Sequence, residues 1–126
     1  MKPTDPAWAE MMQRTTPNTF RALEQLVPAL AATGRYRGKS FLFGRGAQHK
    51  AAAQVEAKLK ETLLAMVQDR LIERHQDAET CRQRLVAAVR DFASAYQDQE
   101  QAYALADEYL VGNAADAKKR IREFMK

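Results

Sequence analysis

Residues 78–111 read AETCRQRLVAAVRDFASAYQDQEQAYALADEYLV. Heptad spacing puts Leu85, Val89, Phe92, Tyr96, Tyr103, Ala106 and Leu110 on one seam, in steps of four and three, with Gln99 as the interruption. No glycine or proline falls inside the stretch. The pattern predicts a long central helix, either one rod or two helices in close succession with a break near Gln97. Asp98 followed by Gln101 has the form of a capping box, which gives that break a mechanism. Asp77 is placed to cap the start, and Gly112-Asn113 to end it. The half from Leu85 to Tyr96 carries large apolar side chains and is expected in the core. The half from Asp98 to Leu110 is more acidic and smaller-sided.

On the N-terminal side, Asp5-Pro6 opens a short helix to about Arg14, with Trp8, Met11 and Met12 together. Thr16-Pro17 repeats the signal. A second helix runs from Pro17 to about Ala32 on the stripe Phe20, Leu23, Val27 and Leu30, and Pro28 predicts a kink or an early end near Val27. Gly34, Gly38, Gly44 and Gly46 then interrupt the periodicity, so residues 33–46 are expected to form an irregular loop pinned by Phe41, Leu42 and Phe43. Ala47 to about His75 reads as a long helix whose broad face carries Val55, Leu59, Leu63, Met66, Val67 and Leu71. A last helix, Ala114 to about Met125, places Ala117, Ile121, Phe124 and Met125 on its apolar side. Asn113 is its expected cap. The sum is an all-α bundle of four to five helices, expected as one domain over residues 1–126.

The composition agrees. Hydrophobic residues are 46% and charged residues 29% of 126, which is a globular balance. Cys81 is the single cysteine, so no disulfide forms within the chain. The N-terminal residues Met1 to Pro6 have no apolar core of signal-peptide type. No apolar run approaches the roughly 20 residues of a membrane span. These features favour a cytoplasmic protein without a membrane anchor.

Charge is uneven. Residues 33–50 hold Arg35, Arg37, Lys39, Arg45 and Lys50 and no acid. Residues 51–111 carry seven bases against eleven acids, and residues 112–126 five bases against two. In the glycine-punctuated segment, cations can neutralise phosphates while Tyr36, Phe41 and Phe43 offer faces for stacking on bases. Lys118, Lys119, Arg120 and Arg122 form a second basic patch on the last helix. Together, Arg35, Tyr36, Arg37, Lys39, Arg45 and these four tail residues are the candidate contacts for nucleic acid. Gly38-Lys39-Ser40 has the ending of a phosphate-binding P-loop, but Thr33 stands where its first glycine belongs.

A second surface is Tyr96, Glu100, Tyr103, Asp107 and Leu110. A seam of tyrosines and alanines flanked by acids suits a self-contact, or contact with the basic segments of another chain. An oligomer or a complex subunit is therefore the alternative expectation.

Catalytic and metal-binding signals are sparse. His49 and His75 would sit at opposite ends of one helix, about 39 Å apart at the α-helical rise, and cannot share a metal. No metal and no cofactor are expected. Arg70-Leu-Ile-Glu-Arg-His75 has an Arg-x4-His spacing that resembles the motif of the HEPN ribonucleases, which are also small all-α domains. That resemblance covers two residues and implies a ribonuclease acting through His75. The main expectation is a non-enzymatic module that binds an anionic partner, nucleic acid first.

Overall fold

A computed structural model describes residues 1–36, 41–96 and 100–126, with side chains at 34–36, 41–49, 51 and 101 outside the description. The described residues form six α-helices and no strand: α1 (Pro6–Thr15), α2 (Pro17–Tyr36), α3 (Phe41–Gln68), α4 (Ala78–Ala95), α5 (Glu100–Asp107) and α6 (Ala114–Phe124). A five-residue π-helical turn, Glu108–Gly112, joins α5 to α6. The all-α bundle is as expected, with more helices than the four to five expected because the central stretch divides.

The division falls at Tyr96, whose backbone is extended (φ −123°, ψ 113°). The capping-box residue Asp98 lies outside the described residues. α5 then folds back along α4. Arg90 pairs with Asp107 at 2.6 Å, and Arg82, a little over two turns earlier, donates to the Leu110 carbonyl. Later residues of one helix thus meet earlier residues of the other. The break also shifts the buried face in part. Leu85, Val89 and Phe92 are buried, but beyond Tyr96 the buried face is Ala102, Leu105, Ala106 and Leu110. Tyr103, expected on the seam, is 38% exposed. A heptad counted through an extended residue still places Ala106 and Leu110 correctly and misplaces Tyr103.

α2 runs through Pro28 rather than ending at Val27. Pro28 is exposed, so the Glu24 carbonyl that loses its amide partner can face water. The helices also extend into the glycine-punctuated segment, α2 to Tyr36 and α3 from Phe41, which corrects the expected loop at 33–46. Each glycine costs a helix about 1 kcal/mol, which weakens a helix without forbidding it.

α3 stops seven residues before His75. The Leu71 N–H donates to the Met66 carbonyl at 2.8 Å and the Arg70 N–H to that of Val67 at 3.1 Å, with Arg70 at φ 63°. This is a Schellman closure with arginine in the left-handed position that glycine usually fills. It turns Ile72 back into the core at 2% exposure. His75 lies in the following connection, exposed, and not on the same helix as His49.

One continuous cluster of buried side chains runs from Trp8 to Met125. Leu23, Leu26 and Leu30 of α2 meet Leu63 and Met66 of α3 and Leu85 and Val89 of α4, all fully buried. Burial of side chains this size contributes about 1.5–3 kcal/mol each. Phe20 meets Phe92 edge-on at 5.5 Å, docking α2 on α4.

The caps divide. Asp77 accepts the Thr80 N–H at 3.0 Å, as expected for the start of α4. Asp5 instead turns its carboxylate to the Lys2 N–H at 3.1 Å and makes no side-chain cap on α1. Asn113 donates to the Glu108 carbonyl at 3.4 Å and makes no side-chain cap on α6, because the π turn draws its amide backward.

Candidate functional site

The basic segment joins α2 to α3. Arg35 and Tyr36 fall in the last turn of α2, and Arg45 lies in the second turn of α3. Arg37 and Lys39 lie outside the described residues, as do the side chains of Arg35, Tyr36 and Arg45. A cation in the last turn of α2 complements that helix's dipole. The start of α3 is different, because its first turn holds no acid. A 28-residue helix therefore begins without a carboxylate in its first turn, directly after a run of bases. Helix N-termini attract anions.

The tail is partly engaged within the chain. Arg120 pairs with Glu56 of α3, and Lys118 approaches Glu79 of α4 at 3.9 Å. Lys119 and Arg122 are exposed. Glu56 lies 15 residues after Phe41 in α3, about 22 Å along the axis. The paired part of the tail thus sits well away from the α2–α3 connection. The two basic patches do not form one compact surface around Arg120.

The proposed partner surface is also revised. Tyr96 is 40% exposed, and Glu100 is exposed. Tyr103 lies under the Arg90 guanidinium at 5.5 Å, and Asp107 is held by the same arginine through Nε at 2.8 Å. Leu110 is 3% exposed and belongs to the interior, as its place on the seam implies. Val111, which the heptad reading did not single out, is 44% exposed beside it.

Arg82 anchors a cluster invisible to local pattern reading. Its guanidinium spans both oxygens of Glu79, and Glu79 also accepts from Gln83 at 3.2 Å. Hydrogen bonding from Arg82 holds the Glu79 carboxyl down to about 2. The same arginine reaches the Leu110 carbonyl, 28 residues later, so α4, the π turn and α6 are tied together.

Arg70 and His75 are both exposed, with Arg70 in the left-handed turn. Cys81 is fully buried. Burial, and then the charge of Asp77, push its thiol up, which suits a core residue rather than a nucleophile. Among the described residues no group of His, Cys, Asp or Glu is arranged to hold a metal ion, and no helix is long and apolar enough to cross a membrane. No family model, curated protein or solved structure matches this chain.

Proposed function

We propose that this protein is a non-enzymatic helical module that binds an anionic partner, nucleic acid first, at the basic connection between α2 and α3. One observation carries the reading: residues 33–50 hold five bases and no acid, and they run into a long helix whose first turn has no carboxylate. Arg35, Arg37, Lys39 and Arg45 supply phosphate contacts, and Tyr36 supplies a stacking face. The tail contributes through Lys119 and Arg122, while Lys118 and Arg120 serve the fold first. Fluorescence anisotropy with a mixed-sequence single-stranded oligonucleotide tests the reading. Saturable binding that weakens steeply with salt supports it, and absence of binding at low salt rejects it.

Assembly is the second reading, favoured by the exposure of Tyr96, Tyr103 and Val111 close together in sequence around α5. It calls for a mass in solution that rises with concentration and falls back on Tyr103→Glu. A monomer at every concentration, with no partner recovered, counts against it.

A further inference from the structure

A cleft of about 120 Å³ opens between α3, α4, the π turn and α6. Its floor is apolar, built by Leu59, Leu63, Leu85, Leu110 and Ile121. Close-packed interiors seldom leave such a space, and an apolar floor of this kind holds water poorly. The π turn contributes Tyr109 and Leu110 to the lining, and single π turns occur often at functional sites. Behind this wall, Arg82 holds the Leu110 carbonyl and is itself clamped by Glu79. The wall is therefore braced around the space rather than free to collapse into it.

The mouth is polar. Arg120 pairs there with Glu56, and Asn113 and Asp116 stand beside them. The geometry points to a binding site for one small neutral molecule with a ring-sized apolar body and a single hydroxyl, of which phenol is the simplest. Size limits the apolar body to one ring at most, since an apolar cavity of about 150 Å³ already accepts a single benzene. Charge argues for neutrality: the floor is aliphatic, and an ionic group drawn against it loses hydration without gaining a partner there. The hydroxyl finds partners at the mouth in the Asn113 amide and the Glu56 carboxylate. None of these residues lies in the basic connection, so the site stands apart from the nucleic-acid reading.

The test is a phenol titration of the full chain, followed by methyl and amide NMR shifts and by melting temperature. Saturable shifts centred on Leu59, Leu110 and Ile121, with a raised melting temperature, are expected. Ala117→Leu, which fills the cleft from α6, weakens binding at least about ten-fold, because the ring then has no space. Leu59→Phe fills it from α3 and replaces the first variant if that one does not fold. Benzoate and benzylammonium bind at least about ten-fold more weakly than phenol in the unaltered protein, because each charge loses hydration at the apolar cleft. Absence of saturable shifts up to the solubility of phenol overturns the site. So do shifts centred elsewhere, or full affinity in a folded, filled variant. Equal or tighter binding of either charged analogue overturns the assignment to neutral ligands.

Discussion

Asp69, just past the last turn of α3, accepts the backbone N–H of Thr19 at 2.6 Å, fifty residues earlier in the chain. It also accepts from the Asn18 side chain at 2.9 Å. Thr16, the residue placed to cap α2, donates its hydroxyl to the Met12 carbonyl instead. The start of α2 is thus capped from another helix, and the cap doubles as a clasp between α2 and α3. Asp69→Ala is expected to lower stability by about 1–2 kcal/mol, the usual cost of losing a cap. Asp5→Ala, which removes no side-chain cap from α1, is expected to stay within about 0.5 kcal/mol. Urea denaturation of both variants measures the difference. Equal effects would show that Asp69 does not act as a cap.

Acid should loosen the same joints. Burial pushes the Asp69 carboxyl up, but the hydrogen bonds from Thr19 and Asn18 outweigh it, and its pKa lies below the ordinary value. Hydrogen bonds from Thr80 lower that of Asp77, and Arg82 holds Glu79 at about 2. A carboxyl depressed in the folded chain stabilises it above the unfolded pKa, near 4, and loses that contribution as pH falls toward the folded value. Stability should therefore be level above about pH 5 and decline between about pH 4 and 2. Asp91, raised by desolvation, works weakly the other way. Thermal melts across pH 2–7 check this, and Asp69→Asn should flatten part of the decline. A melting temperature that rises on acidification contradicts it.

Arg70 carries the strain of a left-handed backbone, φ 63°, in a position where only glycine is unstrained. Arg70→Gly removes that strain but adds chain entropy to the unfolded state. The net expectation is a gain of about 0.5–1 kcal/mol, read as a raised urea midpoint. A loss of stability would mean that the arginine side chain holds this turn.

Most of the helices are legible in the sequence, because their apolar stripes at helical spacing are the surfaces that the bundle buries. The ends are less so. α3 closes at Arg70 by backbone hydrogen bonds without a glycine, and α2 passes through Pro28 because that residue faces outward. The glycine-rich stretch reads as a loop because each glycine lowers local helix propensity, a penalty that weakens a helix without forbidding it. The cation-rich residues of the candidate site are visible by composition alone. Their division is not: pairing of Arg120 with Glu56, 64 positions earlier, leaves no local mark. The clasp at Asp69 and the anchor at Arg82 are long-range for the same reason.

The shift of the buried face beyond Tyr96 makes a sharp contrast between neighbours. Leu105, 4% exposed, lies on the buried face, while Tyr103 lies beside it under Arg90. Leu105→Ala should cost about 2–5 kcal/mol. Tyr103→Ala should cost about 1 kcal/mol or less, the scale of an exposed cation–π contact. The reverse order, measured by denaturation, would put Tyr103 rather than Leu105 on the buried face of α5.

The salt dependence of oligonucleotide affinity, compared between the unaltered chain and an Arg35→Ala, Arg37→Ala, Lys39→Ala variant, tests the proposed function most directly. Each phosphate contact on a single strand contributes about 0.7 to the slope of log affinity against log salt, so the triple variant should lose about 2 from that slope. Its affinity at low salt should fall while its melting temperature stays unchanged. An Arg120→Ala variant, whose side chain already serves Glu56, should keep most of the slope. An unchanged slope in the triple variant, or no binding by the unaltered chain at low salt, would contradict nucleic-acid recognition at the α2–α3 connection.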